Sequence, residues 1–133
     1  MRFICDKKIK PRRSTKGSAG YDFIAPEDLR IPPKWRYVFD SGVAVDIDEG
    51  YYMRLEDRSS LAFAGIKLGN HGIIDSDYKG TIKVILENNN FGDAPYVIKK
   101  GERYMQGIIS PYMTMDDDNV AADRVGGIGS TGK

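Results

Sequence analysis

The sequence predicts an all-β fold with at most one short helix. Short runs of β-branched and aromatic residues are separated by turn-forming residues about every 8–12 positions, a spacing typical of an antiparallel sandwich or barrel. Pro26, Pro32 and Pro33 interrupt any helix in the region that contains them. A parallel sheet would instead require long helical segments between the strands, and the sequence contains none.

The predicted strands follow one another along the whole chain. A short apolar run comes first, and a basic loop over residues 11–20 separates it from the second run. Asp-Ser-Gly at 40–42 and Asp-Glu-Gly at 48–50 are turn signals that divide the next three runs. The predicted strands are residues 2–5, 19–24, 37–39, 43–45, 51–55, 73–74, 81–85, 96–98 and 108–109.

Residues 57–65 contain the one segment that favours a helix. They read Asp-Arg-Ser-Ser-Leu-Ala-Phe-Ala-Gly, and their small apolar residues allow one or two helical turns. Serine is a good N-cap, so we expect one of the two serines to cap this helix.

Composition is that of an ordinary globular protein and argues against several kinds of site. The 133 residues suffice for one domain with a hydrophobic core. The formal net charge of +1 provides no basic field for nucleic acid. Cys5 is the only cysteine and His71 the only histidine, which argues against an internal disulfide or an ordinary zinc site. We find neither a signal peptide nor a membrane span and expect a cytoplasmic protein, or one in the host cytoplasm if the source is viral.

Residues 70–80 concentrate the candidate chemistry of the chain. They read Asn-His-Gly-Ile-Ile-Asp-Ser-Asp-Tyr-Lys-Gly, and the glycines allow sharp turns or a close approach of the backbone to a ligand. Two isoleucines lead to Asp75, and Tyr78 follows three positions later. This pattern predicts a β-hairpin with an acid and an aromatic residue near its tip. A polar turn with a solvated aspartate accounts for the same residues.

The C-terminal residues 116–133 differ in character from residues 1–115. Three aspartates precede a glycine-rich tail that reads Val-Gly-Gly-Ile-Gly-Ser-Thr-Gly-Lys. Ordering each glycine costs about 0.5–1 kcal/mol more than ordering an alanine. The tail is therefore either a frayed terminus or a flexible arm whose N–H groups and hydroxyls close over an anion. We accordingly divide the chain into a β core over 1–115 and an arm over 116–133.

Five segments in a particular order indicate a known family. They are residues 19–23 (Ala-Gly-Tyr-Asp-Phe), 58–62 (Arg-Ser-Ser-Leu-Ala), 72–80 (Gly-Ile-Ile-Asp-Ser-Asp-Tyr-Lys-Gly), 101–106 (Gly-Glu-Arg-Tyr-Met-Gln) and 127–132 (Gly-Ile-Gly-Ser-Thr-Gly). The third and fifth segments are the most specific. Together the five span nearly the whole chain and resemble the five motifs of the trimeric dUTP pyrophosphatase (dUTPase) family.

This resemblance implies a compact jelly-roll-like fold that assembles as a homotrimer. Each active site would lie at a subunit interface and be completed by a C-terminal arm. The implied reaction is the hydrolysis of dUTP to dUMP and pyrophosphate, with Mg²⁺ bound to the triphosphate. Such a reaction lowers dUTP and supplies dUMP for thymidylate synthesis.

The resemblance also implies a role for individual residues. Asp75 corresponds to the general base that activates the attacking water, and Tyr78 to the aromatic that packs on the deoxyribose and leaves no space for a 2′-hydroxyl. Asp22 corresponds to a residue that contacts the metal through water. For Asp22 and Gln106, a purely structural role at a turn or strand edge is the alternative. The implied substrate-binding residues are Arg58, Ser59, Ser60, Gly72, Ile74, Tyr78, Gln106, Arg124, Ile128, Gly129, Ser130 and Thr131.

Three positions depart from the family pattern. Asp57 stands where the family commonly has proline, which changes the rigidity and charge of the loop before Arg58. Ile128 replaces the phenylalanine that covers the uracil ring, and Arg124 lies one residue closer to the glycines of the arm. We therefore expect an active enzyme whose arm closes less tightly.

Two alternatives remain at this point. A dCTP deaminase resembles the same motifs but needs a glutamate at the position of Ile85, and Glu87 lies two residues too late. A protein of this fold could also act mainly as a regulator that binds a protein partner, through the basic segment 7–16 for example.

Overall fold

The computed structural model describes residues 1–129 and 131–132, and this part of the chain folds almost entirely into short strands. Every strand pair is antiparallel. The strands are β1 (Arg2–Ile4), β2 (Tyr21–Ile24), β3 (Leu29–Ile31), β4 (Arg36–Asp40), β5 (Ala44–Asp46), β6 (Tyr51–Glu56), β7 (Ile66–Leu68), β8 (Ile73–Ile74), β9 (Lys83–Asn88), β10 (Tyr96–Ile98) and β11 (Arg103–Pro111), with the α-helix α1 (Ser59–Phe63) and a 3₁₀-helix (Lys7–Ile9).

The described strands form four small sheets. One has the order β2-β11-β6-β8, and a second has the order β4-β9-β7. Two-stranded pairs, β1-β5 and β10-β3, complete the set. The predicted all-β architecture with one short helix is confirmed.

The core lies between the faces of these sheets. Strands β6 and β9 bury alternate residues, as expected of strands with one face on a core. Tyr104 on β11 and Phe23 on β2 are fully buried side chains that meet in an edge-to-face contact. Strand β11 pairs with β2 on one side and with β6 on the other, so it holds Gln106 between Asp22 and Glu56.

The predicted hairpin around Asp75 is wrong. Strand β8 pairs with β6, whereas β9 pairs with β4 and β7 in a different sheet. The loop between β8 and β9 lies beside the residues that follow β4. In this loop, Ile82 N–H donates to the carbonyl of Val43, and Ile82 C=O accepts from Ser41 N–H. Ile82 is 1% exposed, so its burial selects this path over a tight turn.

The predicted serine cap of the helix is also wrong. Helix α1 has Arg58 at its N-cap position, and this residue makes no side-chain cap with the described residues. None of the described helices has the length or apolar character needed to cross a bilayer.

Candidate active site

Asp75 lies at the edge of a cavity of about 380 Å³ where β8 ends. The carbonyl of Gly72 accepts a hydrogen bond of 3.0 Å from the N–H of Leu55, which attaches this segment to β6. Leu55, Ile73, Ile74 and Ile85 give the cavity apolar walls, as is usual for small-molecule sites. We call it the Asp75 cavity, and it is lined by Leu55, Asn70, Gly72, Ile73, Ile74, Asp75, Tyr78, Lys83, Ile85, Arg124, Gly127, Ile128, Gly129 and Thr131.

Tyr78 is held rigidly beside this cavity. Its hydroxyl donates a 2.7 Å hydrogen bond to the carbonyl of Thr81. A Cβ at Gly80 would lie 2.9 Å from the same hydroxyl, so Gly80 leaves the space that the ring orientation needs. A ring fixed in this way can select a ligand by shape.

Arg124 of the C-terminal segment closes one side of the cavity. Its Nη2 lies 2.5 Å from Asp75 Oδ2, and its Nε lies 2.8 Å from Asp77 Oδ1. The guanidinium carbon lies 5.9 Å from the centroid of the Tyr78 ring, within cation–π range. The hydrogen bond to Asp77 raises the pKa of Arg124 above its ordinary value. The sequence did not single out Asp77, although it lies two residues after Asp75.

A second cavity, of about 350 Å³, contains the predicted phosphate-binding residues. Arg58 ends the loop after β6, and Gln106 projects from β11 toward it. The serines at the start of α1 supply hydroxyl groups at the rim. We call this the Arg58 cavity, and it is lined by Ser14, Ser18, Ala19, Gly20, Asp22, Arg58, Ser59, Ser60 and Gln106.

Asp22 is the acidic residue among those that line the Arg58 cavity. One carboxylate oxygen lies 3.2 Å from Arg58 Nε. The other accepts from Ser14 Oγ at 2.7 Å and lies 3.3 Å from Arg103 Nη1. The side chain is only 12% exposed, so its charge is balanced mainly by the two arginines. Sequence reasoning assigned no role to Arg103 or Ser14, although Arg103 lies within the fourth motif segment and Ser14 within the basic loop over residues 11–20.

This arrangement fits a metal that is held by a ligand rather than by the protein. Both oxygens of Asp22 are engaged by neighbouring side chains. Among the described residues, no group of three or more His, Cys, Asp or Glu side chains could hold a metal ion. Mg²⁺ binds with few protein ligands when phosphates and waters complete its octahedron.

Gln106 is oriented by its neighbours. Its Nε2 donates to the carbonyl of Asp57 at 3.0 Å. A Cβ at Gly20 would lie 2.3 Å from Gln106 Oε1, so only glycine at this position leaves the amide where it is. The structure thus brings together Asp22, Arg58 and Gln106, as the resemblance implied.

Asp75 and Arg58 lie at opposite ends of β6. Ile74 pairs with Met53, so Asp75 comes next to Tyr52 near the start of the strand. Arg58 follows the other end of the strand, six residues beyond Tyr52. At about 3.3 Å per residue, this places the two backbone positions about 20 Å apart. On one chain, therefore, Asp75 and Arg58 cannot contact the same phosphate group.

A family model for dUTPase matches residues 6–132 of the chain. The chain belongs to the dUTPase family. It is 40% identical over 135 residues to the deoxyuridine 5′-triphosphate nucleotidohydrolase of Paramecium bursaria Chlorella virus 1, covering 97% of this chain and 94% of that protein.

Solved dUTPase structures have the same fold. The dUTPase of Streptococcus mutans superimposes with a TM-score of 0.80 at 30% identity, covering 87% of this chain and 99% of that one. A variant dUTPase from phage phi11 of S. aureus, described with a coordinated structural Mg(II) ion, has a TM-score of 0.75 at 25% identity and covers 91% and 96% of the two chains. The jelly-roll fold expected from the motifs is thereby confirmed.

The fifth dUTPase motif is only partly described. Ile128 is 86% exposed and lies at the rim of the Asp75 cavity with Gly129 and Thr131. Gly129 has a φ of 73°, a conformation that favours glycine. The predicted role of Ser130 lies outside the described residues.

Proposed function

We propose that this protein hydrolyses dUTP to dUMP and pyrophosphate, with Asp75 as the general base. Membership of the dUTPase family supports the reaction. The observation that carries the residue assignment is the position of Asp75, a carboxylate at the end of a short strand and at the edge of a base-sized cavity.

In the proposed chemistry, a water molecule attacks the α-phosphorus of dUTP. The water oxygen forms the new bond, the bond from the α-phosphorus to the bridging oxygen breaks, and pyrophosphate leaves. Asp75 accepts the proton that the water loses. Its side chain is 54% exposed, which leaves room for water beside it in the absence of substrate.

The Asp75 cavity would hold the nucleoside. Backbone groups around Gly72 and Ile74 would contact uracil, with Leu55 and Ile85 forming apolar walls. Tyr78, held in place by its bond to Thr81, would pack on the deoxyribose and exclude a 2′-hydroxyl.

The Arg58 cavity would hold the triphosphate. The planar guanidinium of Arg58 suits phosphate oxygens, and Ser59, Ser60 and Gln106 provide neutral hydrogen-bonding groups. A Mg²⁺ ion bound to the phosphates would neutralise developing charge, with Asp22 contacting it through water. Positioning and charge stabilisation would supply most of the rate.

We further propose a homotrimer whose active sites combine cavities from different subunits. The support is the distance of about 20 Å along β6 between Asp75 and Arg58, which prevents both side chains of one chain from contacting the same phosphate. Ile128, Gly129, Ser130 and Thr131 of an arm would then cover the nucleotide.

Deamination of dCTP is not favoured by the geometry. Ile85 lines the Asp75 cavity, and its aliphatic side chain cannot transfer a proton. Glu87 lies farther along β9, outside the residues that line this cavity.

Product analysis tests the proposal directly. Purified protein is given dUTP, dCTP, dTTP and UTP separately with Mg²⁺, and products are identified by phosphorus NMR and chromatography. We expect only dUTP to be converted, and Asp75→Asn to lower kcat by about a thousandfold. Asp93→Asn, which changes an exposed carboxylate elsewhere, is the matched control. Binding of dUTP without turnover would instead favour the regulatory alternative.

A further inference from the structure

We infer that Asp57 is a positioning residue that holds both Arg58 and Gln106 in the orientation needed to contact phosphates. Asp57 is the one residue between the end of β6 and the N-cap of α1. The inference rests on the proposed function, because it assigns to Asp57 a role in the same reaction.

The side chain of Asp57 attaches this junction to a neighbouring strand. Its Oδ1 accepts a hydrogen bond of 2.6 Å from the backbone N–H of Leu68 on β7. Leu68 is 3% exposed and packs in the core, so the attachment point is rigid. A bond to a backbone group across eleven positions of sequence restricts the junction more than a local turn would.

The backbone of Asp57 orients Gln106. The Asp57 carbonyl accepts from Gln106 Nε2 at 3.0 Å, while Gly20 leaves the space that Oε1 occupies. If the junction moved, this carbonyl would move with it, and the amide would lose its orientation in the Arg58 cavity.

Arg58 is restrained through its backbone and through its side chain. Its backbone follows Asp57 directly, and its guanidinium contacts Asp22 at 3.2 Å and the carbonyl of Arg103 at 3.3 Å. Helix α1 adds no side-chain cap from the described residues that would fix its first turn. The hydrogen bond from Leu68 N–H to Asp57 Oδ1 therefore restrains the start of the helix instead. A misplacement of about 1 Å in such a group can cost a hundredfold in rate.

Asp57 also contacts the segment that leads to Asp75. Its Oδ2 lies 3.8 Å from Nε2 of His71, whose Nδ1 lies 3.9 Å from Glu56. These distances exceed those of hydrogen bonds, so they represent close polar packing. The positioning role rests on the bonds to Leu68 and Gln106.

The experiment compares three substitutions of Asp57 in the full chain. Asp57→Ala removes the acceptor, and we expect kcat/KM for dUTP to fall at least tenfold, with a lower kcat and a higher KM. Asp57→Asn keeps an acceptor oxygen, so kcat/KM should stay within about threefold of the parent. Asp57→Glu keeps the acceptor and the charge but lengthens the side chain by one methylene group. We therefore expect kcat to fall about fivefold while the protein stays folded.

Two controls separate positioning from general stability. Asp28→Ala removes a carboxylate that accepts a 2.8 Å bond from the Lys100 N–H outside the Arg58 cavity, and it should leave kcat unchanged. The double variant Asp57→Ala/Gln106→Ala should be slower than Gln106→Ala by a smaller factor than Asp57→Ala costs on its own, since part of the effect of Asp57 is exerted through Gln106. Full additivity, or Asp57→Glu equal to the parent, would overturn the inference.

A binding measurement distinguishes this inference from the proposed function. Calorimetry with tripolyphosphate reports on the Arg58 cavity without any hydrolysis. We expect Asp57→Ala to weaken tripolyphosphate binding at least fivefold and Asp28→Ala to leave it unchanged. If the parent does not hydrolyse dUTP but this difference is present, the proposed reaction fails and the positioning role stands. Equal affinities would reject the positioning role.

Discussion

Arg124 lies 2.5 Å from Asp75, so the proposed general base forms an ion pair with the C-terminal segment of its own chain. Asp77 holds the same guanidinium at 2.8 Å, and the Arg124 side chain is 12% exposed. The pair engages one oxygen of the carboxylate that would accept a proton from water. We therefore expect the Arg124 guanidinium to leave Asp75 and to bind a phosphate group when dUTP binds.

Substitution of Arg124 tests this exchange. Arg124→Gln removes both the ion pair and the cation available to phosphate. Because a hydrogen bond to a charged group contributes about 1.5–3 kcal/mol, the KM for dUTP should rise tenfold or more. Steady-state kinetics beside Arg2→Gln, a change at a largely exposed arginine, provides the comparison. A fall in KM would mean that Arg124 only blocks Asp75.

Ile128→Phe should strengthen closure over the nucleotide. Ile128 is 86% exposed at the rim of the Asp75 cavity, where a ring could stack on uracil. Aromatic pairing contributes about 0.5–1.5 kcal/mol, so the KM for dUTP should fall about twofold to tenfold. An unchanged affinity of the variant for dUTP would count against a covering role for this position. Val125→Phe, at another exposed arm position, controls for added hydrophobicity.

Tyr104→Phe should stabilise the protein. Tyr104 is 1% exposed, and its hydroxyl has no hydrogen-bond partner among the described residues. Burial raises the pKa of this phenol, which stays protonated. Removing an unsatisfied buried hydroxyl should raise the free energy of unfolding by about 1 kcal/mol, as measured by chemical denaturation. Tyr78→Phe is the opposite case, because it deletes a satisfied bond to Thr81 and should lower stability. A loss of stability in Tyr104→Phe would show that the hydroxyl is satisfied.

Asp40 should make stability depend on pH. Burial tends to raise its pKa, but hydrogen bonds from Lys83, Gly42 and Thr81 lower it below the ordinary value. A lowered folded-state pKa means that the stabilisation is present above the pKa of the unfolded state and is lost as pH falls through the folded pKa. Asp40→Asn should therefore cost about 0.5–1 kcal/mol at neutral pH, a small value because the pair with Lys83 is half exposed.

Denaturation curves at neutral pH and at about pH 3 measure this difference. We expect the gap in unfolding free energy between parent and Asp40→Asn to narrow in acid. Asp93→Asn, whose carboxylate is 98% exposed, should show no such pH dependence. A gap that stays constant with pH would contradict the assignment.

Local sequence patterns predicted much of the fold and of the chemistry. Alternating apolar residues and turn signals identified most strands, because both are properties of a few consecutive residues. The short helix and the five motifs were likewise readable from neighbouring residue types. These patterns were sufficient to predict the family and the residue types of the Arg58 cavity.

Only the tertiary structure decided which strands pair and which charged side chains contact each other. Nothing local indicates that β8 pairs with β6 instead of β9, since Ile82 is buried and bonded to Ser41 and Val43, which are distant in sequence. The contacts of Asp22 with Arg103 and of Arg124 with Asp75 join residues far apart in sequence. The sequence by itself determined which functional side chains the chain carries and which segments contain them. Long-range packing determined the distances between those side chains, because burial favours the arrangement that removes the most apolar surface from water.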